Sequence, residues 1–333
     1  MTAPWLQAQL ETLVARQVHA WLLQGPSGLG QYGLALGLVS AWLCESPGPA
    51  GACGTCASCH QIQVRAHPDL AVLMPETLML ALEWPLAEAA QGDIDKKERK
   101  PSKEIRVDGL RDMLAFTQRT SGRGRGKAVL VYPAERMNAV TANALLKTLE
   151  EPPGDTRFVL ATEAAHLLLP TIRSRCQTHV MAWPAREQAT AWLVEQGVAA
   201  DTAPVLLRAA GDRPEDALAL HRGGLTAGGW AAWPKALLRG DTAAMADWSP
   251  AQLVTSLQKL CHDLMVVQAG GTPRFFAPSD LPAAASVRAL AAWWKALARE
   301  ARTAEHPFQA GLLQDALVSQ ARAALHSGQR TPR

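Results

Sequence analysis

Four short apolar runs, HAWLLQ (19–24), LAVLM (70–74), KAVLVY (127–132) and RFVLAT (157–162), are separated by segments of helical period. No other feature limits the fold as much. Runs this short without polar alternation suit strands buried on both faces, and such strands are parallel and joined by helical crossovers. Stretches 34–44, 104–120 and 137–150 supply helices between the runs, and an amphipathic segment with Thr2 as its cap candidate precedes the first. After Trp183-Pro184 strand signals stop. The remainder is Ala/Leu/Trp-rich and helical, broken by Gly and Pro at 211–214, 223–229, 240–241, 270–273 and 278–282. An α/β module with a parallel sheet flanked by helices, followed by an all-α C-terminal half, is expected. Segment 77–103 turns acidic and then basic and reads as a solvated insertion or mobile loop without assigned chemistry.

With 333 residues, 48% of them hydrophobic, the chain has length for two or three domains with real cores. Its formal charge of +3 is too small to announce nucleic acid. No apolar run reaches membrane-spanning length and no basic leader precedes an apolar core, so a soluble, cytoplasmic chain without membrane contact is expected. Six cysteines are too sparse for a disulfide scaffold, which makes their spacing the informative quantity.

Cys44, Cys53, Cys56 and Cys59 form C-x8-C-x2-C-x2-C. Four thiolates complete the tetrahedral shell of a structural zinc, leaving no open position for catalysis. His60 and His67 are neighbours rather than required ligands, and Cys176 and Cys261 read as packed thiols.

Gly25-Pro26-Ser27-Gly28-Leu29-Gly30 lies where a strand meets a helix and has the G-x-x-x-x-G frame of a phosphate-binding loop. A working loop continues with Lys, which meets the β- and γ-phosphates, and Ser or Thr, which holds Mg²⁺. This chain has Gln31 and Tyr32. A second core strand ends in Tyr132-Pro133-Ala134-Glu135, so the acidic pair that holds metal and activates water is missing and Glu135 falls two places late. Hydrolysis is therefore not expected. The loop has two readings, residual nucleotide binding through Gly25, Gly28 and Gly30, or a turn kept for its geometry.

Arg175, in Ser174-Arg175-Cys176, is either a solvated or ion-paired surface residue or a cation offered to a neighbour's phosphate. RTSGRGRGK (119–127) carries four cations among glycines and reads as a solvated loop or a phosphate-backbone contact. The tryptophans of the C-terminal half, Trp230, Trp233, Trp248, Trp293 and Trp294, suit core and interface packing.

The lysine-less GPSGLGQY, the four-cysteine module, His67-Pro68-Asp69, NALLKTLEEPP (143–153), Leu160-Ala161-Thr162 and Ser174-Arg175-Cys176, in that order, resemble the delta-prime family of bacterial DNA polymerase III clamp-loader subunits. The resemblance covers residues 19–180 firmly. It implies a fold similar to AAA+ ATPases, with an α/β domain at 1–182, a helical lid at 183–224 and a helical collar at 225–333. It also implies a non-catalytic subunit of a ring with ATPase and delta subunits, acting on the sliding clamp and primer-template DNA through the complex. By the same likeness Arg175 is an arginine finger acting in trans, and Thr162 stands at the sensor-1 position. An active ATPase of the same fold and a zinc-dependent DNA-binding protein using Arg123 and Arg125 are the alternatives.

Overall fold

A computed structural model describes residues 3–245, 248–283, 286–302 and 310–327; Thr2, the expected cap, lies outside them. The chain divides into two compact units, Met1–Gln188 and Ala189–Arg333.

The first unit runs α1 (Pro4–Val14), β1 (Ala20–Gln24), α2 (Gln31–Leu43), α3 (Ala57–Gln63), β2 (Leu70–Leu73), α4 (Glu76–Ala81), α5 (Glu88–Asp95), α6 (Val107–Thr117), β3 (Lys127–Val131), α7 (Ala139–Glu150), β4 (Thr156–Thr162), α8 (Pro170–Arg173) and β5 (Gln177–Val180), and α9 (Arg186–Glu195) crosses its boundary. The strands form one parallel sheet in the order β2-β3-β4-β1-β5. Alternate residues face opposite layers, as the period of two requires. Leu22, Val129, Val131, Phe158 and Leu160 join Leu110, Met113, Leu145 and Leu149 of α6 and α7 in one buried cluster. The opposite face is covered by α2, which packs on β1, β3 and β4, with α1 behind it.

The expected α/β module with helices on both faces is present, with four differences in detail. Helix α1 is capped at Ala3, with Pro4 at its first position, where a missing N–H costs nothing. Helix α2 starts three residues before the expected stretch. At its Gly33 and Gly37 a Cβ would stand 3.4 or 3.3 Å from Leu6 or Leu10 of α1, so these glycines let the two helices close. Segment 77–103 is not a bare loop. It includes part of α4 and all of α5, and Arg99 clamps its end to Glu76 at 2.6–2.8 Å and to Asp93 at 3.3 Å. Finally, β5 carries no apolar signal because QTHV lies at the sheet margin and is mostly exposed.

The second unit is helical throughout its described residues, with α10 (Ala203–Ala209), α11 (Pro214–Arg222), α12 (Ala227–Arg239), α13 (Pro250–Gln268), α14 (Val287–Glu300) and α15 (Ala310–His326). Helix α12 begins inside the expected break at 223–229, because the Thr226 hydroxyl caps the Gly229 N–H at 3.0 Å and offsets the glycines of the first turn. Trp230, Trp233 and Trp293 are buried core residues. Trp230 stacks on Phe276 at 4.6 Å, Trp248 packs edge-on to Trp233, and Trp294 is partly exposed. Buried Asp263 accepts the backbone N–H groups of Arg274, Phe275 and Phe276 at 2.7–2.9 Å, fixing the loop that carries Phe276.

Candidate functional site

The C-terminal ends of β1, β3 and β4 bring the glycine loop, Tyr132, Glu135 and Thr162 into one cluster. Gly25 N–H donates to the Thr162 carbonyl at 3.3 Å. Gly28 and Gly30 have φ of +76° and +95°, and a Cβ on Gly25 would sit 2.8 Å from that of Met181, so each of the three has a geometric reason to be glycine.

Gln31, 1% exposed, opens α2 and turns back under the loop. Its Nε2 donates to the carbonyls of Gly25 at 2.9 Å and Pro26 at 2.6 Å. Where a lysine would offer a positive charge, a neutral amide spends both hydrogens on the loop itself. Tyr32 is equally occupied: its hydroxyl accepts from Trp84 Nε1 at 2.8 Å, its ring lies 5.7 Å from that of Tyr132, and burial raises its pKa. Glu135 is engaged within the protein. Its Oε2 accepts the hydroxyl of buried Thr162 at 2.7 Å and its Oε1 the Glu163 N–H at 3.1 Å. Tyr132 donates its hydroxyl to Glu163 at 2.7 Å. The pairing of Glu135 with Thr162 is absent from the sequence reading, because only the adjacency of β3 and β4 creates it.

Arg175 lies outside this cluster, with its partners on α7 and α8. Nη1 donates to the Thr171 carbonyl at 2.9 Å and Nη2 to Glu150 Oε1 at 2.5 Å, and the side chain stays 27% exposed. The last residue of α7, within the NALLKTLEEPP stretch, thus holds the arginine of the Ser-Arg-Cys triplet. Cys176 packs against the sheet core, and Cys261 is fully buried with its Sγ 3.4 Å from the Leu290 carbonyl; burial pushes both thiols up to about 12.

The four spaced cysteines converge. Cys44 ends α2, Cys56 caps α3, and all four sulfurs lie within 4.8 Å of one another. The Cys44–Cys56 and Cys53–Cys59 separations are 3.8 and 3.9 Å. Four sulfurs each about 2.3 Å from a central ion stand roughly 3.8 Å apart. Backbone N–H groups of Cys53, Cys56 and Cys59 point at the sulfurs of Cys44, Cys53 and Cys56 at 3.2–3.4 Å, which favours thiolates. Backbone donors from Thr55 and Cys56 lower Cys53 to about 6, whereas burial raises Cys59 to about 12. The cluster can hold a metal ion such as zinc. His60 and His67 are not in it; His67 Nδ1 instead accepts the Asp69 N–H at 3.1 Å.

Segment 119–127 is strapped down rather than loose. Asp69, 1% exposed, accepts the N–H groups of Gly122 and Arg123 at 2.7 and 2.8 Å and the Ser121 hydroxyl at 3.0 Å. Arg123 reaches Glu45 at 2.8 Å, beside Cys44, and buried Lys127 donates its ammonium to the carbonyls of Phe116 and Arg119. Two of the four cations are therefore used within the fold.

No helix among the described residues is long and apolar enough to cross a membrane. A family model described as DNA polymerase III, delta subunit, matches residues 5–184. The DNA polymerase III subunit delta' of Pseudomonas aeruginosa is 38% identical over 226 residues, 67% of this chain and 62% of that protein. The Escherichia coli K12 protein of the same name is 35% identical over 226 residues, 66% of this chain and 61% of that protein. The matched stretch therefore spans less than two thirds of these relatives' own length. A solved gamma subunit-related protein of Thermotoga maritima is 17% identical, with 96% of this chain and 99% of that chain covered and a TM-score of 0.48. By the family model and these relatives, the chain belongs to the delta-prime subunit family of DNA polymerase III, within the AAA+ clamp loaders.

Proposed function

We propose that the chain is a clamp-loader subunit that hydrolyses no ATP itself and acts through a neighbour. One observation carries this reading: Gln31 closes the glycine loop on its own carbonyls. The Glu135–Thr162 pair ties up the carboxylate and hydroxyl that would otherwise face a nucleotide's metal and γ-phosphate. Gly25, Gly28 and Gly30 then serve to turn the chain from strand into helix, and Thr162 braces the β3–β4 end in place of a sensing role.

The chemical contribution left is Arg175, presented in trans to ATP held by an adjacent ATPase subunit. A guanidinium placed on a transferring phosphoryl group offsets its developing charge, an effect of about 10³–10⁵ in rate in known systems. Thr171 and Glu150 fix two of its nitrogens, which supports a defined presentation. Cys44, Cys53, Cys56 and Cys59 hold a structural zinc, and with all four ligands from the protein its role is to fold the module. In this reading the chain has an α/β domain at 1–182, a lid at 183–224 and a collar at 225–333, and it works in a cytoplasmic ring with ATPase and delta subunits that loads the sliding clamp on primed DNA.

Arg175→Ala in the reconstituted complex tests this. Assembly should persist and DNA-stimulated ATP turnover should fall at least tenfold, while the isolated chain has no turnover above background. Unchanged turnover in the complex removes the finger, and brisk hydrolysis by the chain alone removes the whole reading.

A further inference from the structure

Beside β2 the first unit encloses a cavity of about 610 Å³, lined among others by Ala71, Val72, Leu73 and Met74. Side chains of a strand alternate between faces, so Ala71, Val72 and Leu73, consecutive in β2, line one cavity with Met74 just beyond them only when it opens on the strand's edge. β2 is the margin of the sheet, with no strand beyond it among the described residues. The carbonyls of Asp69 and Leu73 accept from Ala128 and Tyr132 of the β3 side at 2.9 and 3.1 Å. Residues 69, 71 and 73 therefore bond inward, and the backbone groups of Val72 and Met74 face the cavity.

The far wall is apolar, from Met79 of α4, Ala90 of α5, and Met113 and Phe116 of α6. Its rim is acidic. Glu76 and Asp93 are answered by Arg99, and Asp108 by Arg111 at 3.1 Å. Exposed Glu104 and Asp112 remain against Arg106, so the groove carries five carboxylates and, counting Arg111, three guanidiniums.

We propose that this groove binds an extended segment of a partner protein that adds to β2 as a further strand. An open strand edge supplies backbone hydrogen bonds, and an adjoining apolar wall takes every second side chain. The acidic rim selects lysine or arginine at the alternate, outward positions. Segment 77–103 then has a role: α4 and α5 form the outer wall of a peptide groove.

The probe is a fluorescein-labelled peptide KVRVKVRVK, with EVDVEVDVE as its charge-reversed control, titrated by fluorescence anisotropy into the full chain. The basic peptide should bind at least tenfold tighter than the acidic one, with the preference weakening as salt rises. Val72→Pro removes an outward N–H while leaving the bonds to β3 in place, and should weaken binding at least tenfold without lowering the melting temperature by more than a few degrees. Ala90→Trp, which fills the wall, should do the same and decides the matter if the proline variant fails to fold. Glu104→Lys with Asp112→Lys should erase the charge preference. Equal binding of the two peptides, no binding of the basic one, or full binding by both Val72→Pro and Ala90→Trp would overturn the proposal.

Discussion

Replacing Asp69 with Asn should release segment 119–127 from the sheet. The carboxylate gives one oxygen to Gly122 N–H and the other to Arg123 N–H and the Ser121 hydroxyl. An amide must turn its NH₂ toward one of these donor sets, leaving at least one of the part-buried N–H groups facing another donor and removing the charge from the remaining bonds. Hydrogen bonds to a charged group contribute about 1.5–3 kcal/mol each, so losing one and weakening the others costs roughly 3 kcal/mol. At about 1.4 kcal/mol per decade that is on the order of a hundredfold rise in the open population of the loop. Arg123 and Arg125 lie within it and make trypsin the natural probe. Where reclosing outpaces cleavage, the cutting rate follows that population. Cleavage after Arg123 and Arg125, followed by mass spectrometry, should quicken about a hundredfold in Asp69→Asn, and much less in Ser121→Ala, which loses one neutral donor. Rates within threefold of the wild type would refute the view that Asp69 holds the loop.

Glu150→Gln keeps the shape of Arg175's partner but not its charge. It should lower DNA-stimulated turnover of the complex severalfold, less than Arg175→Ala, while melting of the isolated chain moves little, since partly exposed pairs contribute under about 1 kcal/mol. Metal analysis of the purified chain should find about one zinc per chain; a strong chelator or Cys59→Ser should remove it and expose the amides of Cys53 and Cys56 to rapid hydrogen exchange. Lys259, half-buried beside the rings of Trp230 and Phe275, has its pKa lowered to about 8 by desolvation and then by the charge of Arg213. Between pH 8 and the ordinary lysine value the unfolded chain binds the extra proton, so stability rises with pH in that window and the full cost is present below it. Against Lys259→Met, which should not titrate there, the wild type should gain roughly 2 kcal/mol in urea unfolding from pH 8 to 10; parallel pH curves would exclude a depressed pKa.

Strands β1, β3 and β4 are legible because each is a short apolar run buried in the middle of the sheet; of the two margin strands, half-buried β2 keeps an apolar run and is legible, whereas mostly exposed β5 has none and is not. Glycine misleads at Gly228 and Gly229 of α12, which look like an interruption although a threonine cap accommodates them; Gly37, inside a stretch whose period predicts a helix, does not. At the site, the identities of Gln31 and Tyr32 already announce a missing charge. That Glu135 finds Thr162 and Arg175 finds Glu150 depends on separations of 27 and 25 residues along the chain, which no local pattern encodes, while the Gln31 fold-back spans only 5 and needs the loop's three-dimensional turn to be seen. The cysteine spacing foretells the cluster because its chemistry is local: two short hairpin-like steps and one helix start bring the sulfurs together.

The stitching around Gln31 also limits what a single substitution can do. A single codon change to lysine at position 31 would place a charge beneath a loop whose next residue is held by Trp84, whose facing strand ends in tyrosine and proline, and whose nearest carboxylate is engaged by Thr162. Each of these neighbours already has a partner that the new charge would have to displace, so lysine at this position alone would not open the loop to a phosphate. The cluster behaves as a lock with several tumblers, and turning one leaves the rest in place.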